Sequence, residues 1–380
     1  HVFGVTGGGS MHLNDSFGKS KKIKFIMQHH EQAAAMSAES YARVTNTPGL
    51  CHVTTGPGGT NALTGVVGAW IDSISMIVIS GQVARQDMIG KSGLRQRGVQ
   101  EINIFDIVKP VVKYAVSLKN PNLIQYELEK CFSLCQTGKP GPVWLDIPLD
   151  LQAKKINTKK LKKFKFKKKS FNVPQTKLNI SKIFKILLKS SRPVIVIGNG
   201  IHISKSEKYF KKFINYFNIP VLSSWNASDI LEYNDKRYIG RFGLFGDRAS
   251  NFTVQNADII FVLGSRLSQP QTGYNLSLFA PEAKIIFIDI DKHEIGKIKN
   301  KIVIGFTVDL NFFLKNFINF LLKKRKHTVL NHIRWLKICN GWKKKYPVVK
   351  KEYSKKKRVN SFFFIQELSK TLKKKSCIVT

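Results

Sequence analysis

The sequence has few acidic residues, few cysteines and no long apolar run, and each shortage excludes a class of protein. Only 24 of its 380 residues are Asp or Glu, against 63 Lys or Arg, so the formal net charge is +39. The five cysteines are odd in number, and Cys131 and Cys135, one helical turn apart, have no metal-ligand companions nearby. This pattern favours the reduced, buried thiols of a cytoplasmic protein over a disulfide or zinc framework. No apolar run has the length of a membrane span, so we expect no membrane partner.

The excess of lysine raises the question of a nucleic-acid partner, because a large positive field attracts nucleic acid without specificity. The lysines are concentrated in segments with the composition of linkers and surfaces: residues 154–169, 323–326, 343–345 and 355–357. No RNA-recognition or zinc-finger signature accompanies them. We therefore interpret the charge as a solvated basic surface with no specific nucleic-acid partner. A non-enzymatic basic binding module is the alternative.

Short apolar runs alternate with glycine turns and helical patterns in the first part of the chain. They predict buried strands at residues 2–5, 23–27, 51–55, 75–80, 109–116 and 143–147. Near-continuous apolar strands separated by helices are typical of a parallel sheet covered on both faces. The sequence therefore predicts an α/β fold, with a doubly wound domain over residues 1–151.

A second α/β pattern follows a change in composition. Residues 152–176 are lysine-rich and aperiodic, which predicts an interdomain linker. Residues 177–325 then predict a second doubly wound, Rossmann-like domain, with strands at 193–197, 221–223, 259–263 and 285–290. Residues 326–380 are basic and partly helical, and we expect residues 377–380 to begin a truncated third domain.

One stretch, residues 28–43, combines a candidate acid with an unusual helix. Small side chains recur there at helical spacing and predict a face that something can approach closely: Ala34, Ala35, Ala38 and Ala42. Glu31 lies where the predicted strand gives way to this helix. A carboxylate there is partly removed from water, which favours its protonated form and suits a proton donor or acceptor. A helix N-terminal carboxylate stabilised by the macrodipole is the alternative.

Five short motifs occur in a fixed order: Val2 to Gly9, His30 to Ala33, Thr54 to Asn61, Asp72-Ser73 and Gly81 to Val83. In this order the chain resembles the pyrimidine-binding domain of thiamine-diphosphate enzymes and, among them, the acetolactate synthase large subunit. The likeness is dense to about residue 155 and looser to about residue 325. It implies an enzyme that decarboxylates a 2-keto acid and then forms a carbon–carbon bond, with thiamine diphosphate as cofactor.

The resemblance also implies roles for individual residues. Glu31 corresponds to the family's glutamate, which hydrogen-bonds the pyrimidine N1′ and favours the imino tautomer. Gln82 corresponds to an amide near the bound substrate and is the second catalytic candidate. The implied cofactor-binding set is Gly7, Gly8, Glu31, Thr55, Pro57, Gly58, Asn61 and Gln82. An ordinary tight turn at residues 55–58 and an exposed loop glutamine at 82 are the alternatives.

The implied substrate entrance contains one departure from the family. Gln100, Glu101 and Lys113 correspond to family positions near this entrance. Residues 91–99 differ from acetolactate synthase, and their Arg95 and Arg97 have the chemistry to bind a carboxylate or phosphate of a bulkier substrate. A solvated loop is the alternative. The departure favours, as a second function, a lyase or carboligase with a different acceptor, for example in sugar-precursor synthesis.

Residues 177–325 resemble the central domain, which in acetolactate synthases holds a flavin that does no redox work. Gly198 and Gly200 make a partial dinucleotide fingerprint, and Arg266 and Asp289 are the other candidate flavin residues. The acidic pair that usually follows the arginine is here Ser268-Gln269, however. This leaves FAD open as a cofactor and favours a vestigial scaffold.

The resemblance finally implies that the sequence is a fragment. The family binds Mg²⁺ and the diphosphate through a Gly-Asp-Gly and Asn motif that does not occur here. We expect those ligands in a missing C-terminal domain, no metal site within this chain, and no turnover by this fragment alone. Because the family completes its active site between subunits, a homodimer or tetramer is implied. A degenerate paralogue without catalysis is a further alternative.

Overall fold

The computed structural model describes residues 1–166, 178–324, 332–355, 357–373, 376 and 378. The chain divides into two compact units, residues 1–170 and 171–380. The predicted linker lies partly outside the described residues, as does the predicted strand at 377–380 apart from Ile378. The predicted bounds of the domains and linker therefore stay predictions. Within the described residues, no helix is both long and apolar enough to cross a bilayer.

The first unit is built on a six-stranded sheet whose order is β2-β1-β3-β4-β6-β5. Its strands are β1 (Val2–Gly4), β2 (Phe25–Met27), β3 (Gly49–Val53), β4 (Met76–Gln82), β5 (Tyr114–Ser117) and β6 (Pro142–Pro148). Its helices are α1 (Met11–Lys19), α2 (Glu31–Thr45), α3 (Pro57–Asp72), α4 (Ile104–Val108), α5 (Ile124–Gln136) and α6 (Leu149–Gln152). Every strand pair is parallel, which confirms the predicted fold class.

The predicted strand at residues 109–116 is wrong in its first half. Residues Lys109–Val111 form a turn of 3-10 helix, and β5 begins only at Tyr114. Pro110 explains the difference, because proline fixes its own φ and has no N–H to give to a neighbouring strand.

The second unit has its own parallel sheet, in the order β12-β11-β10-β7-β8-β9. Its strands are β7 (Pro193–Ile197), β8 (Val221–Ser223), β9 (Tyr238–Arg241), β10 (Ile259–Leu263), β11 (Lys284–Asp289) and β12 (Ile302–Thr307). Its helices are α7 (Ile180–Lys189), α8 (Gly200–Ile203), α9 (Glu207–Ile214), α10 (Arg248–Gln255), α11 (Gln269–Thr272), α12 (Lys292–Gly296), α13 (Leu310–Lys323), α14 (Ile333–Lys345) and α15 (Ser361–Thr371). With β7 counted as the first strand of this unit, the strand order is that of the Rossmann fold, as expected. The edge strands β9 and β12 were not predicted; each contains a glycine, which weakens a strand pattern.

The alanine face of α2 is buried against the first unit's own backbone. Ala34, Ala35 and Ala38 have no exposed surface. A Cβ on Gly65 of α3 would lie 2.6 Å from the Cβ of Ala35, and one on Gly49 of β3 would lie 1.9 Å from the carbonyl oxygen of Ala38. The expected close approach to α2 is therefore confirmed, and what approaches is α3 on one side and β3 on the other.

A carboxyl group lies at the centre of the same sheet. Asp146 of β6 is 2% exposed, and it accepts hydrogen bonds from the hydroxyls of Ser80 (2.6 Å) and Ser117 (3.4 Å). The indole N–H of Trp144 donates to the Ser80 hydroxyl at 2.8 Å. Among the described residues Asp146 has no ion-pair partner. Burial without a cation raises the pKa of Asp146 to about 7.

Replacing Ala35 with Leu tests the close packing of α2 on α3. The added side chain has no space beside Gly65, so we expect a loss of about 1–3 kcal/mol in the free energy of unfolding. Denaturant unfolding measures this loss. Met36→Leu is the control, because Met36 is 43% exposed on the same helix. Equal stability of the two variants would contradict the packing described above.

Replacing Asp146 with Asn tests the protonated carboxyl. Between about pH 4 and pH 7 the unfolded chain ionises at this position while the folded chain retains the proton, so folding is favoured less as pH rises. Asn does not ionise, so we expect D146N to gain at least about 1 kcal/mol relative to the parent across that window. Denaturant unfolding at several pH values measures the two slopes. Parallel pH dependences would show that Asp146 is already ionised in the folded state.

Candidate active site

The carboxyl ends of adjacent strands bring most of the candidate residues to one edge of the first sheet. Glu31 follows β2, Gly7 and Gly8 follow β1, the segment Thr55 to Asn61 follows β3, and Gln82 ends β4. After β1 the chain continues to β2 on one side of the sheet, and after β3 it continues to β4 on the other side. The carboxyl ends of β1 and β3 therefore flank the topological switch point, where α/β folds bind ligands. The sequence motifs therefore converge on one place.

Glu31 is the first residue of α2, and its carboxyl group has one free oxygen. The side-chain amide of Asn61 donates to Oε2 at 3.0 Å. Oε1 has no hydrogen-bond partner among the described residues, and a Cβ on Gly58 would lie 3.5 Å from it. His30 is the N-cap residue, and its Nδ1 accepts from the backbone N–H of Gln32 at 3.1 Å. The helix is thus capped by the imidazole, and the half-buried carboxyl group is left for another partner.

The turn after β3 requires glycine and leaves a polar atom unsatisfied. Gly56 has φ +59°, and a Cβ there would lie 1.9 Å from the carbonyl oxygen of Gln100. A Cβ on Gly7 would lie 2.6 Å from the side chain of Thr54, whereas Gly8 faces open space. The buried hydroxyl of Thr54 has no hydrogen-bond partner among the described residues. Backbone, an open glycine and a free hydroxyl therefore lie at the same sheet edge as the Glu31 carboxyl, which suits a flat ligand with polar edges.

Gln82 is buried behind this turn. Its Oε1 accepts from the Thr55 hydroxyl at 2.7 Å and from the backbone N–H of Val83 at 3.0 Å. Its amide nitrogen donates to the carbonyl of Ile102 at 3.3 Å and also bonds the carboxyl group of Asp146. The amide is fully used by the protein, so Gln82 positions Thr55. Its predicted contact with substrate stays a prediction.

The sequence did not single out Asp146, and it did not predict what Glu101 does. Glu101 is 5% exposed and accepts three backbone N–H groups: from Ile89 at 2.5 Å, Gly98 at 3.1 Å and Arg97 at 3.3 Å. The sequence signal for the role of Glu101 was a single acidic residue that follows the basic, glycine-containing residues 90–98.

The four substrate candidates do not lie together. Gln100 has φ +59° and its carbonyl contacts Gly56, so it adjoins the turn. Arg95 and Arg97 are exposed on the same loop. Lys113 precedes β5 and therefore lies at the amino edge of the sheet, opposite Glu31. Its ammonium donates to the carbonyl of Thr137 at 2.5 Å, and burial lowers the pKa of Lys113 to about 8. Within this chain, Lys113 therefore does not lie beside Gln100, Arg95 and Arg97, contrary to what the sequence had led us to expect.

The four flavin candidates of the second unit are engaged with the chain itself. A Cβ on Gly198 would lie 2.3 Å from the carbonyl oxygen of Gly264, and one on Gly200 would lie 2.7 Å from its Cα. Arg266 donates to Glu294 at 3.1 Å, and Asp289 accepts from the backbone N–H of Asp291 at 2.9 Å. These residues present no open cradle for a flavin.

The described cysteines and acids suggest neither redox nor metal chemistry of their own. Cys51, Cys131, Cys135 and Cys339 are buried and free, and burial raises the pKa of each thiol to about 12. In the described part of the chain, no three His, Cys, Asp or Glu side chains are grouped to hold a metal ion.

Comparison with known proteins places both units in one family. Residues 1–107 match the family described as thiamine pyrophosphate enzyme, N-terminal TPP binding domain, and residues 180–317 match thiamine pyrophosphate enzyme, central domain. The two matches together cover more than half of the chain.

Curated relatives agree with these matches. The chain is 32% identical to the acetolactate synthase large subunit of Pyropia yezoensis over 360 residues, which is 92% of this chain and 59% of the relative. It is 34% identical to that of Buchnera aphidicola subsp. Schizaphis graminum over 390 residues, which is 100% of this chain and 65% of the relative. The chain spans about three fifths of the length of such relatives. It therefore belongs to the thiamine pyrophosphate enzymes of the acetolactate synthase-like kind, and it carries their N-terminal and central domains.

Proposed function

We propose that this chain supplies the pyrimidine-binding half of an active site that decarboxylates a 2-keto acid and joins the product to a second carbonyl compound. The observation that carries the proposal is the Glu31 carboxyl group at the head of α2. One of its oxygens is held by Asn61 at 3.0 Å, and the other has no partner among the described residues. A carboxyl group held in this way is suited to exchange a proton with a ring nitrogen.

The residues at the sheet edge fit thiamine diphosphate. When bound, this cofactor supplies the carbon nucleophile that attacks the keto acid. Glu31 would hold a proton at the pyrimidine ring nitrogen, and Asn61 would keep the carboxyl group in one orientation. Gly8 and Gly58 would let the backbone approach the ring, and Gln82 would hold Thr55 in place. Each role uses a position that the structure brings to this edge.

Other parts of the proposed enzyme lie beyond these residues. The proposal includes Mg²⁺ for the diphosphate, bound by ligands outside this chain, and a second copy of the chain that completes the site in a homodimer or tetramer. The substrate is a small 2-keto acid. FAD, a membrane and a specific nucleic acid are not included, and a cytoplasmic location stays a prediction.

Replacement of Glu31 by Gln in the full-length protein tests the proposal. We expect the parent to release CO₂ from pyruvate, and E31Q to lose at least about 100-fold in kcat, because Gln does not transfer the proton. Asp15→Asn is the control, since it removes an exposed carboxylate that pairs with Lys19. An E31Q variant with the parent's turnover would overturn the proposed role.

Replacement of Gly58 by Ala tests the fit of the cofactor without measuring turnover. The added methyl group would lie 2.8 Å from Thr54 and 3.5 Å from Glu31. We expect the Kd for thiamine diphosphate, measured by quenching of tryptophan fluorescence, to rise at least about tenfold. Gly68→Ala is the matched control on the same helix, because a Cβ at Gly68 meets nothing within 4 Å. Equal Kd values for the two variants would place the cofactor elsewhere.

A further inference from the structure

The segment between β4 and α4 carries a cluster of positive charges next to the Glu31 edge. Residues 90–98, here called the cationic loop, contain Lys91, Arg95 and Arg97 and no acidic residue. The first unit has two other arginines, and both are paired: Arg43 with Asp72 and Arg85 with Asp150. The guanidinium groups of Arg95 and Arg97 have no partner among the described residues. The loop therefore presents two unneutralised guanidinium groups.

The cationic loop is held in one conformation at its base. Both oxygens of the Glu101 carboxylate are used, one by the N–H of Ile89 at one end and the other by the N–H groups of Arg97 and Gly98 at the other end. With its amide oxygen turned inward, the side chain of Gln96 accepts from the N–H groups of Gln100 and Glu101 at 3.0 and 3.3 Å. A buried carboxylate satisfied by several N–H groups is a built feature, because burial without them is costly.

The base of the loop is in contact with the candidate active site. The carbonyl of Gln100 packs on Gly56, at the start of the turn that leads to Gly58 and Glu31. Two residues further on, the carbonyl of Ile102 accepts a hydrogen bond from the side-chain amide of Gln82 at 3.3 Å. Gln100 lies three residues after Arg97, a span of at most roughly 11 Å, and five residues after Arg95, a span of at most roughly 18 Å. Both arginines therefore belong to the short segment whose base contacts the turn.

We propose that the cationic loop binds a negatively charged group that the substrate carries away from its reacting carbonyl, a phosphate or a second carboxylate. Arg95 and Arg97 make the contact, since a guanidinium group pairs with either oxyanion through two parallel hydrogen bonds. Glu101 is a positioning residue that holds the loop. This inference rests on the proposed function and names the substrate class of the same site.

The test compares three acceptors in the full-length holoenzyme, with pyruvate as donor: an aldehyde bearing a phosphate, one bearing a carboxylate and a neutral one of similar length. We expect R95Q/R97Q to raise KM at least tenfold for a charged acceptor and to leave kcat and the neutral acceptor unchanged. The rise should shrink at high salt. The phosphate and carboxylate arms show which anion the loop prefers.

The matched control removes the same two charges elsewhere. Lys21 and Lys22 are exposed and precede β2, so they lie at the opposite edge of the sheet. An equal rise in KM for K21Q/K22Q would assign the effect to the overall charge of +39 and overturn the proposal. Equal use of charged and neutral acceptors by the parent would overturn it too, while release of CO₂ from pyruvate would show that the proposed function still holds.

Limited proteolysis tests the role of Glu101 without turnover. Trypsin cleavage after Lys91, Arg95 and Arg97, followed by mass spectrometry, reports how often the loop opens. We expect these bonds to be cut at least tenfold faster in E101Q than in the parent, and bonds outside the loop to be cut at the parent's rate. Unchanged cleavage within the loop would show that Glu101 does not hold it.

Discussion

The close contact between α2 and α3 determines where the Glu31 carboxyl group lies. Both helices begin at the carboxyl edge of the first sheet, and Ala35 meets Gly65 with no space for a larger side chain. This contact brings the head of α2 beside the first turns of α3, so that Asn61 reaches Glu31 across the gap. Larger side chains would separate the helices and break that hydrogen bond. The acid–base chemistry proposed for this chain therefore depends on a face of alanines and a glycine.

Behind the Glu31 edge, buried polar groups connect residues that are distant in sequence. Gln82 joins the turn after β3 to Ile102 and to Asp146, and Asp146 joins β4 to β6 through Ser80. Buried networks of this kind hold one conformation when every group is satisfied. Glu101 does the same for the loop that follows β4. The cofactor side and the substrate side of the site are thus held by separate buried groups.

The sequence predicted the parts of this arrangement that are encoded locally. Apolar runs located β1, β3, β4 and β6, and alanine spacing located the buried face of α2. Contacts between distant segments were not predicted. The hydrogen bonds of Asp146 depend on the strand order, and those of Glu101 depend on how the loop after β4 closes. Neither is encoded in a local sequence pattern. Lys113 was expected near the substrate, but it precedes β5, and because the strands are parallel this places it at the amino edge, opposite Glu31.

The contact between Gly56 and Gln100 fixes the base of the cationic loop, and the exposed tip of the loop lies beyond this contact. Both residues are in the left-handed region of φ, at +59° each, and neither tolerates a shift because backbone meets backbone there. The residues between Gly90 and Gln96 are exposed, and a Cβ on Gly93 would meet nothing within 4 Å, although Gly93 too has a positive φ, of +77°. Insertions or new side chains in that tip cost little in loop entropy. Substitutions in this tip therefore change the chemical groups beside the turn without moving the backbone around the Glu31 carboxyl.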